Sequence, residues 1–552
     1  MLPINRKRDS LLLLLALILP LAIALGQSPV KVAEEGDEVQ KQKARLEKSY
    51  SEALMLVKEN YAGQVDYDKT IKTSILGMLH TLDPHSSYLD RNEWTKYKSE
   101  QSSRYSGIGS VIGERNGQVY IVSPMADSPA YRTGLRYGDQ IVEVDGEPVD
   151  GLASQQVSGR LIGTEGTVVN IKVKRLGVTD PIERVIKRNA VPLLSIPNYF
   201  ITGNGIGYIN LQKSFNTTTH DEMLSAIASL TEQKMTRLII DMRGNRGGLV
   251  EQVWKVAGIF LHRGQNIISI SGRPSRKQVR NLLSYNYTPD DYPVIVLTDR
   301  LTASSAEILA GALQDHDRAL IVGKRTFGKG LVQNVFELTN GSALVLTTGK
   351  YRTPSGRLIQ RDYTNLSVYD YYRHSGENST QVKKEERQTD SGRPVYGGGG
   401  IAPDVEIATS QRAVEFQRTW LDPVFEFTRQ AVAGKIAGLA NLQIDRSADY
   451  THRLKADEYV INDAVLEAFK TFIKQHPELR VDWRRIDLDK DSIKRQIRFE
   501  IVTAAYGQDI ASQVLTEGDE QVLRAIKEFP RAEAMAEAFR QRWKNLSVAP
   551  SK

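Results

Sequence analysis

The spacing of apolar residues changes period several times along the chain. Residues 38–61 place Leu46, Tyr50, Leu54, Val57 and Tyr61 three and four apart, which is the stripe of an amphipathic helix. A second helical stretch, 69–82, stops at Asp83-Pro84, and the two together predict a packed helical pair. From 106 to 188 the period falls to two. Val119, Ile121 and Ser123 alternate; Ile141, Val142 and Val144 run into the turn dipeptide Asp145-Gly146; Val169, Ile171 and Val173 alternate again. With short helices at 130–135 and 153–161, this predicts a small β-rich module. Between 200 and 405 strands and helices take turns: strands at 206–211, 237–241, 292–298 and 319–323, helices at 219–233, 250–261 and 304–315. That order predicts an α/β layer with parallel strands. Residues 369–400 turn polar and end in Gly397-Gly398-Gly399-Gly400, the pattern of an exposed loop. Beyond 406 the spacing is helical at 460–476, 491–506 and 519–546, without a repeat, and predicts a helical accessory domain.

The first residues read differently. Arg6, Lys7 and Arg8 precede an apolar run, 11–25, which ends in Ala24-Leu25-Gly26. This charged, apolar, small order is that of an export signal. At about 15 residues the run falls short of the roughly 20 that span a bilayer as a helix. A cleaved signal over 1–26 is expected, with a retained membrane anchor as the alternative. In either case the rest of the chain is expected to work outside the cytoplasm, in the periplasm.

Length allows several domains: 552 residues hold about three to five. Apolar residues make up 40% and charged residues 25%, which excludes a disordered or polytopic membrane chain. A net charge of +7 is spread too thinly for a nucleic-acid surface. The chain has no cysteine, so disulfides, thiolate metal sites and a Cys nucleophile are excluded. Its eight histidines are scattered; His80 and His85, five apart, suit neither turn of a helix as zinc ligands, and no metal or cofactor is expected.

Three stretches carry candidate chemistry. Residues 301–308, Leu-Thr-Ala-Ser-Ser-Ala-Glu-Ile, follow a predicted buried strand and open a helix. A serine hydroxyl there sits at the carboxyl end of the sheet, beside helix-start amides suited to an oxyanion. Residues 323–330, Gly-Lys-Arg-Thr-Phe-Gly-Lys-Gly, match a phosphate-binding loop up to the lysine. The required Ser or Thr is Gly330, and a strand rather than a helix follows, so nucleotide binding is rejected. Lys329 among Gly and Phe neighbours can instead be poorly solvated, which lowers its pKa and lets it take a proton from a serine. Residues 241–248, Asp-Met-Arg-Gly-Asn-Arg-Gly-Gly, add a glycine-rich turn with bare amides. A Ser-His-Asp site is a weaker alternative: His316 lies 12 residues beyond Ser304, about 18 Å along a helix.

In these segments the chain resembles the C-terminal processing peptidases, or tail-specific proteases. The matching residues are Ala303-Ser304-x-x-Glu307-Ile308, then Thr326-x-Gly328-Lys329-Gly330-x-x-Gln333, with Lys329 25 residues after Ser304. Asp241-x-Arg243-x-Asn245-x-Gly247-Gly248, Asp83-Pro84-His85-Ser86-Ser87-Tyr88 and Gly400-Ile401-x-Pro403-Asp404 also fit. The resemblance spans roughly 40–410 and implies a multidomain α+β protein. Its expected parts are an N-terminal helical region (27–100), a PDZ domain (101–190), an α/β ClpP/crotonase-like catalytic core (191–405) and a C-terminal helical domain (406–552). It implies an exported serine endopeptidase with Ser304 as nucleophile, Lys329 as general base and Gln333 orienting the lysine. The oxyanion hole would come from the amides of Ser305 and of Gly247 or Gly248. Thr302, Ser305 and Ala306 depart from the family pattern and leave Ser305 as the rival nucleophile; the 25-residue spacing and Glu307 select Ser304. In the PDZ module, Tyr105, Ser106, Gly107, Ile108 and Gly109 would form the turn that captures a chain terminus, the peptide adding as a strand. The implied partners are proteins or peptides with apolar C-termini, and a homo-oligomer or adaptor acting through 406–552, without nucleic acid. Membrane contact is expected only through the N-terminal signal or anchor. The alternative is a non-catalytic peptide-binding scaffold on the same fold.

Overall fold

The computed structural model describes residues 37–273, 279–364, 366–373, 385–408 and 411–548. The export signal and most of the linker after it lie outside them. Among the described residues no helix is long and apolar enough to cross a membrane. The helix Asp37–Asn60 forms where the apolar spacing placed it. Its stripe is not packed, however: Leu46 is 61% exposed and Tyr61 64%. The expectation of a packed pair is therefore corrected: Tyr50 and Val57 of the stripe are exposed too, as are Ile71 and Met78 of the next helix, Tyr67–His80.

The β-rich module is a five-strand antiparallel path. Its order is Ser110–Arg115, Gln118–Pro124, Gln140–Val144, Val168–Lys174, Ile182–Lys187, with Glu147–Pro148 paired on the third strand. Inward residues alternate, as period two requires, and bury Val119, Ile121, Ile141, Val169, Ile171 and Val173 around the helix Ser154–Leu161. The strand Ser110–Arg115 is an edge of this sheet. A two-stranded ribbon, Arg104–Gly107 with Asn189–Pro192, brings the two ends of the module together.

A six-stranded sheet forms the larger core. Its order is Asn198–Thr202, Ile206–Asn210, Arg237–Asp241, Val294–Thr298, Ala319–Gly323, Val405–Glu406. Only the first pairing is antiparallel; the others are parallel. Such strands are buried on both faces, so they read as continuous apolar runs. One face, with Leu238, Ile240, Val296 and Ile321, packs on the helices Thr219–Glu232, Val250–Phe260 and Ser305–Asp315. The other face, with Ile239, Ile295, Leu320 and Val322, is covered by Val522, Ala525, Phe529 and Ala532. These four come from the helices Glu520–Lys527 and Phe529–Val548. Spacing had suggested one helix there; the chain breaks at Glu528 and restarts with Pro530 in the first turn, where a missing N–H costs nothing.

A second correction concerns 369–400. The chain forms a helix, Val368–Arg373, and a ribbon, Glu386–Gln388 with Pro394–Tyr396; residues 374–384 lie outside the described set. Gly397 and Gly400 are buried, not exposed. Gly398 N donates to Leu358 O and Gly400 N to Ile359 O (both 2.8 Å). A Cβ on Gly400 would lie 2.3 Å from Thr326 O, so glycine there lets two backbones touch.

The C-terminal helices also hold the β-rich module. Tyr137 Oη donates to Glu500 Oε2 (2.9 Å), Gln508 N to Ser123 Oγ (3.3 Å), and Tyr120 stacks edge-on against Phe425.

Candidate active site

Ser304 ends the turn after the buried strand Val294–Thr298 and precedes the helix Ser305–Asp315. Its φ of 56° and ψ of −120° are unusual for a residue with a side chain. Such conformations cost of order 1–3 kcal/mol and persist only where the surroundings over-determine them. The surroundings do so here. Glu307 Oε2 accepts the Ser304 amide (2.8 Å), and Tyr351 Oη donates to the Ser304 carbonyl (3.0 Å). The Ser304 hydroxyl makes no cap hydrogen bond, so it is not spent as a helix cap. Ser305 differs: it is fully buried and its Oγ donates to Gly248 O (2.7 Å).

Glu307 also holds the lysine loop. Its Oε1 accepts Thr326 Oγ1 (2.5 Å) and Gly328 N (2.7 Å); its Oε2 accepts Lys329 N (2.9 Å). All its partners donate. Thr326 Oγ1 itself accepts Ile401 N (2.7 Å), so its proton is free to point at Glu307. Burial pushes the pKa of this carboxyl up, and the hydrogen bonds from Thr326, Lys329, Gly328 and Ser304 oppose that in part. One carboxylate therefore fixes the amides of both Ser304 and Lys329. Tyr351 Oη likewise reaches the carbonyls of both, with Lys329 O at 2.7 Å.

Lys329 Nζ donates to Gln333 Oε1 (2.7 Å). Burial lowers its pKa; the negative charges of Glu307 and Asp83 oppose this in part. Gln333 lies on the strand Leu331–Glu337, and its Nε2 donates to His85 O. Asp83 pins that carbonyl: Oδ1 accepts His85 N and Ser86 N (both 2.8 Å), Oδ2 accepts Ser86 Oγ (2.7 Å). The His85 ring is held between Tyr371 (2.8 Å) and Tyr372 (3.0 Å). Burial, with the charge on Lys329, lowers its pKa to about 3, so it stays neutral. The roles of Asp83 and Tyr351 were not read from sequence, where Asp83 was a motif letter and Tyr351 carried no signal.

The glycine turn lies against the serine. A Cβ on Gly247 would come within 2.7 Å of Ser304 Cβ, and one on Gly248 within 2.1 Å of Phe215 O. Gly247 N is taken by Asn245 Oδ1 (2.9 Å). The amides of Gly248 and Ser305 have no acceptor among the described residues. His316 is engaged by Asp390 Oδ2 (2.8 Å) and Asn266 O (2.7 Å), not by Ser304. No group of three or more His, Asp or Glu among the described residues is arranged for a metal ion.

In the β-rich module, Tyr105, Ser106 and Gly107 lie on the ribbon strand, and Ile108-Gly109 lead into the edge strand Ser110–Arg115. The carbonyls of Ile108 and Gly109 accept Ala130 N (2.8 Å) and Met125 N (2.9 Å); their amides have no acceptor among the described residues. Gly109 has φ +73°, and a Cβ there would lie 2.4 Å from Ser128 Cβ. Arg188 sits against Gly163 and donates to Arg160 O (2.8 Å) and Leu161 O (3.2 Å) at the end of the helix Ser154–Leu161.

A parallel sheet with a serine on a strained strand-to-helix turn, in one chain with a PDZ-type module, is the framework of a serine-type peptidase. The chain belongs to the carboxy-terminal processing proteases. Residues 205–367 match the model of peptidase family S41, 120–175 that of the PDZ domain, and 24–93 that of the activating protease CtpB N-terminal domain. Carboxy-terminal processing protease CtpA of Bacillus subtilis (strain 168) is 33% identical over 354 residues, 61% of this chain and 74% of that protein. A carboxy-terminal-processing protease of Bartonella bacilliformis is 35% identical over 308 residues, 55% of this chain and 70% of that one. Among solved structures, a photosystem II D1 C-terminal processing protease is 26% identical, with 63% of this chain and 84% of that chain covered and a TM-score of 0.34.

Proposed function

We propose that this peptidase is exported and cleaves proteins or peptides after capturing their apolar C-termini, with a Ser304–Lys329 dyad. Lys329, neutral, takes the proton of Ser304 Oγ as that oxygen attacks the scissile carbonyl. The amides of Gly248 and Ser305 receive the oxyanion. The lysine then returns the proton to the leaving amine, and water repeats the cycle on the ester. The observation that carries this reading is the common anchoring of Ser304 and Lys329 on Glu307, beside two unclaimed amides. A scaffold that only bound peptides would need neither. The free amides at Ile108 and Gly109, next to an edge strand, support tail capture by β-addition.

The test is cleavage of two matched peptides with the same apolar tail, one a free acid, the other amidated. The amide lacks the charge that the Ile108 and Gly109 amides would accept. Its KM should rise about tenfold or more with kcat little changed, since charge-assisted hydrogen bonds are roughly twice as strong as neutral ones. Equal KM values would discard tail reading.

Gln333 yields a further expectation with a definite sign. Gln333→Glu places a carboxylate on Lys329 Nζ, which favours the charged lysine and raises its pKa. Since only neutral lysine works, the pH at which activity appears should move up by about 1 unit or more. A pH–rate profile that stays in place would remove Gln333 from contact with the base.

A further inference from the structure

The turn that carries Gly248 is braced from outside the catalytic core. Arg243 opens it. Its Nε and Nη2 pair with Asp241, which is fully buried at the end of the strand Arg237–Asp241 (2.9 Å to Oδ1, 2.6 Å to Oδ2). Asp241 also accepts Tyr208 Oη (2.6 Å) and Gln212 Nε2 (2.9 Å). The remaining edge of the guanidinium, Nη1, turns to the C-terminal helices. It donates to Asp519 Oδ2 (2.7 Å) and Gln521 Oε1 (3.2 Å). Asp519 is itself immobilised, because its Oδ1 caps the helix Glu520–Lys527 through Gln521 N (2.9 Å) and Val522 N (3.1 Å). From Arg243 the turn runs on through Asn245, whose carbonyl accepts Ala303 N (2.9 Å) and whose side chain accepts Gly247 N.

We propose that Asp519 is a positioning residue for peptide-bond hydrolysis: through Arg243 it fixes the turn that presents the Gly248 amide to the oxyanion. The inference rests on the oxyanion role given above. Charge balance does not require Asp519, since Arg243 already has Asp241 as a full partner. What Asp519 adds is a second point of attachment, on the opposite edge of the guanidinium. The bidentate pair sets the plane of the group on Asp241, and Asp299 accepts Gly244 N (2.9 Å); Asp519 ties the free edge to a helix cap, so the turn is also held to the C-terminal helices. A hydrogen bond to a developing charge depends steeply on distance and angle, so a small swing of the turn falls on the transition state and spares substrate binding.

Two full-length variants test this. Asp519→Asn keeps the helix cap, for which Asn and Asp are equivalent, and loses the charge facing Arg243. Asp519→Ser also caps but is too short to reach Arg243. Loss of a whole oxyanion donor costs about 10²–10³-fold, so a displaced one should lower kcat about tenfold. KM should change less than twofold. The specific readout is a peptide aldehyde, whose adduct with a serine places its oxygen where the oxyanion forms. Its affinity should fall in both variants by the same factor as kcat. If both variants keep wild-type kcat and aldehyde affinity, Asp519 positions nothing. A drop in melting temperature with kcat/KM reduced but aldehyde affinity intact also overturns the proposal. If the aldehyde forms no adduct at Ser304 of the unaltered protein, the oxyanion reading itself fails, separately from Asp519.

Discussion

Lys329→Arg should reduce turnover about 10²–10⁴-fold, the usual worth of general-base assistance. Arginine keeps the charge and nearly the length of lysine, so packing around Gln333 and the Glu307 anchor of the loop survive. What it lacks is a neutral form, because its pKa exceeds about 12. Lysine in the same place is pushed toward the neutral form by burial. This sets the sign of the pH dependence. Protonated Lys329 is inactive, so kcat/KM of the unaltered enzyme should rise with pH through one ionisation below the ordinary lysine value of about 10.4, then level off. The measurement is a pH–rate profile on a peptide with an apolar C-terminus, for both proteins. Near-normal turnover by the arginine variant would exclude Lys329 as base and reopen the search, with His316 to be tested first. The expected result for His316 replacement is a small change, since its ring is occupied by Asp390 and Asn266.

Ser304→Ala should remove activity on the order of 10⁶-fold, the loss seen when a nucleophile or its base is deleted from a serine protease. The fold should be retained, because only the hydroxyl is lost and it makes no cap bond. Ser305→Ala is the control that matters. Ser305 Oγ is buried and committed to Gly248 O, so its loss should loosen the oxyanion side of the site and cost about tenfold, far less than the nucleophile. A covalent serine probe followed by peptide mapping gives the second readout, with label expected on Ser304. If Ser305→Ala abolishes turnover while Ser304→Ala does not, the nucleophile is one residue further along.

Local pattern revealed what depends on neighbours in sequence. Strand 237–241 and the helix after Ser304 were legible because burial on both faces and helical spacing leave marks within a dozen residues. That the segments of Ser304 and Lys329 come together was legible through spacing and family resemblance, and Glu307 accepts the amides of both. Glu307 was legible only as a motif letter, yet its work is to bind donors 19 to 22 residues away in the chain. Nothing in a one-dimensional pattern records that four donors converge on one carboxylate. Gly397–Gly400 misled because a glycine run looks the same whether it faces solvent or lets one backbone press on another. The exposed stripe of the helix Asp37–Asn60 failed for a related reason: periodicity tells which side is apolar, not whether anything covers it. Asp519 gave no signal, because an N-cap and an ion-pair partner are written with the same letter.

The cover on the second face of the sheet has a consequence for how the enzyme is made. Ser304, Lys329 and Gln333 have all been synthesised when the chain reaches residue 333, but Ile239, Ile295, Leu320 and Val322 gain Val522, Phe529 and Ala532 only some 200 residues later. Contacts at such separation close late and slowly. Until then the newborn chain carries Ser304 and Lys329 on a half-clad sheet, with Arg243 held by Asp241 but not yet by Asp519. The sheet whose strand leads to Ser304 is thus clad on its second face by one of the last segments to leave the ribosome, residues 520–532.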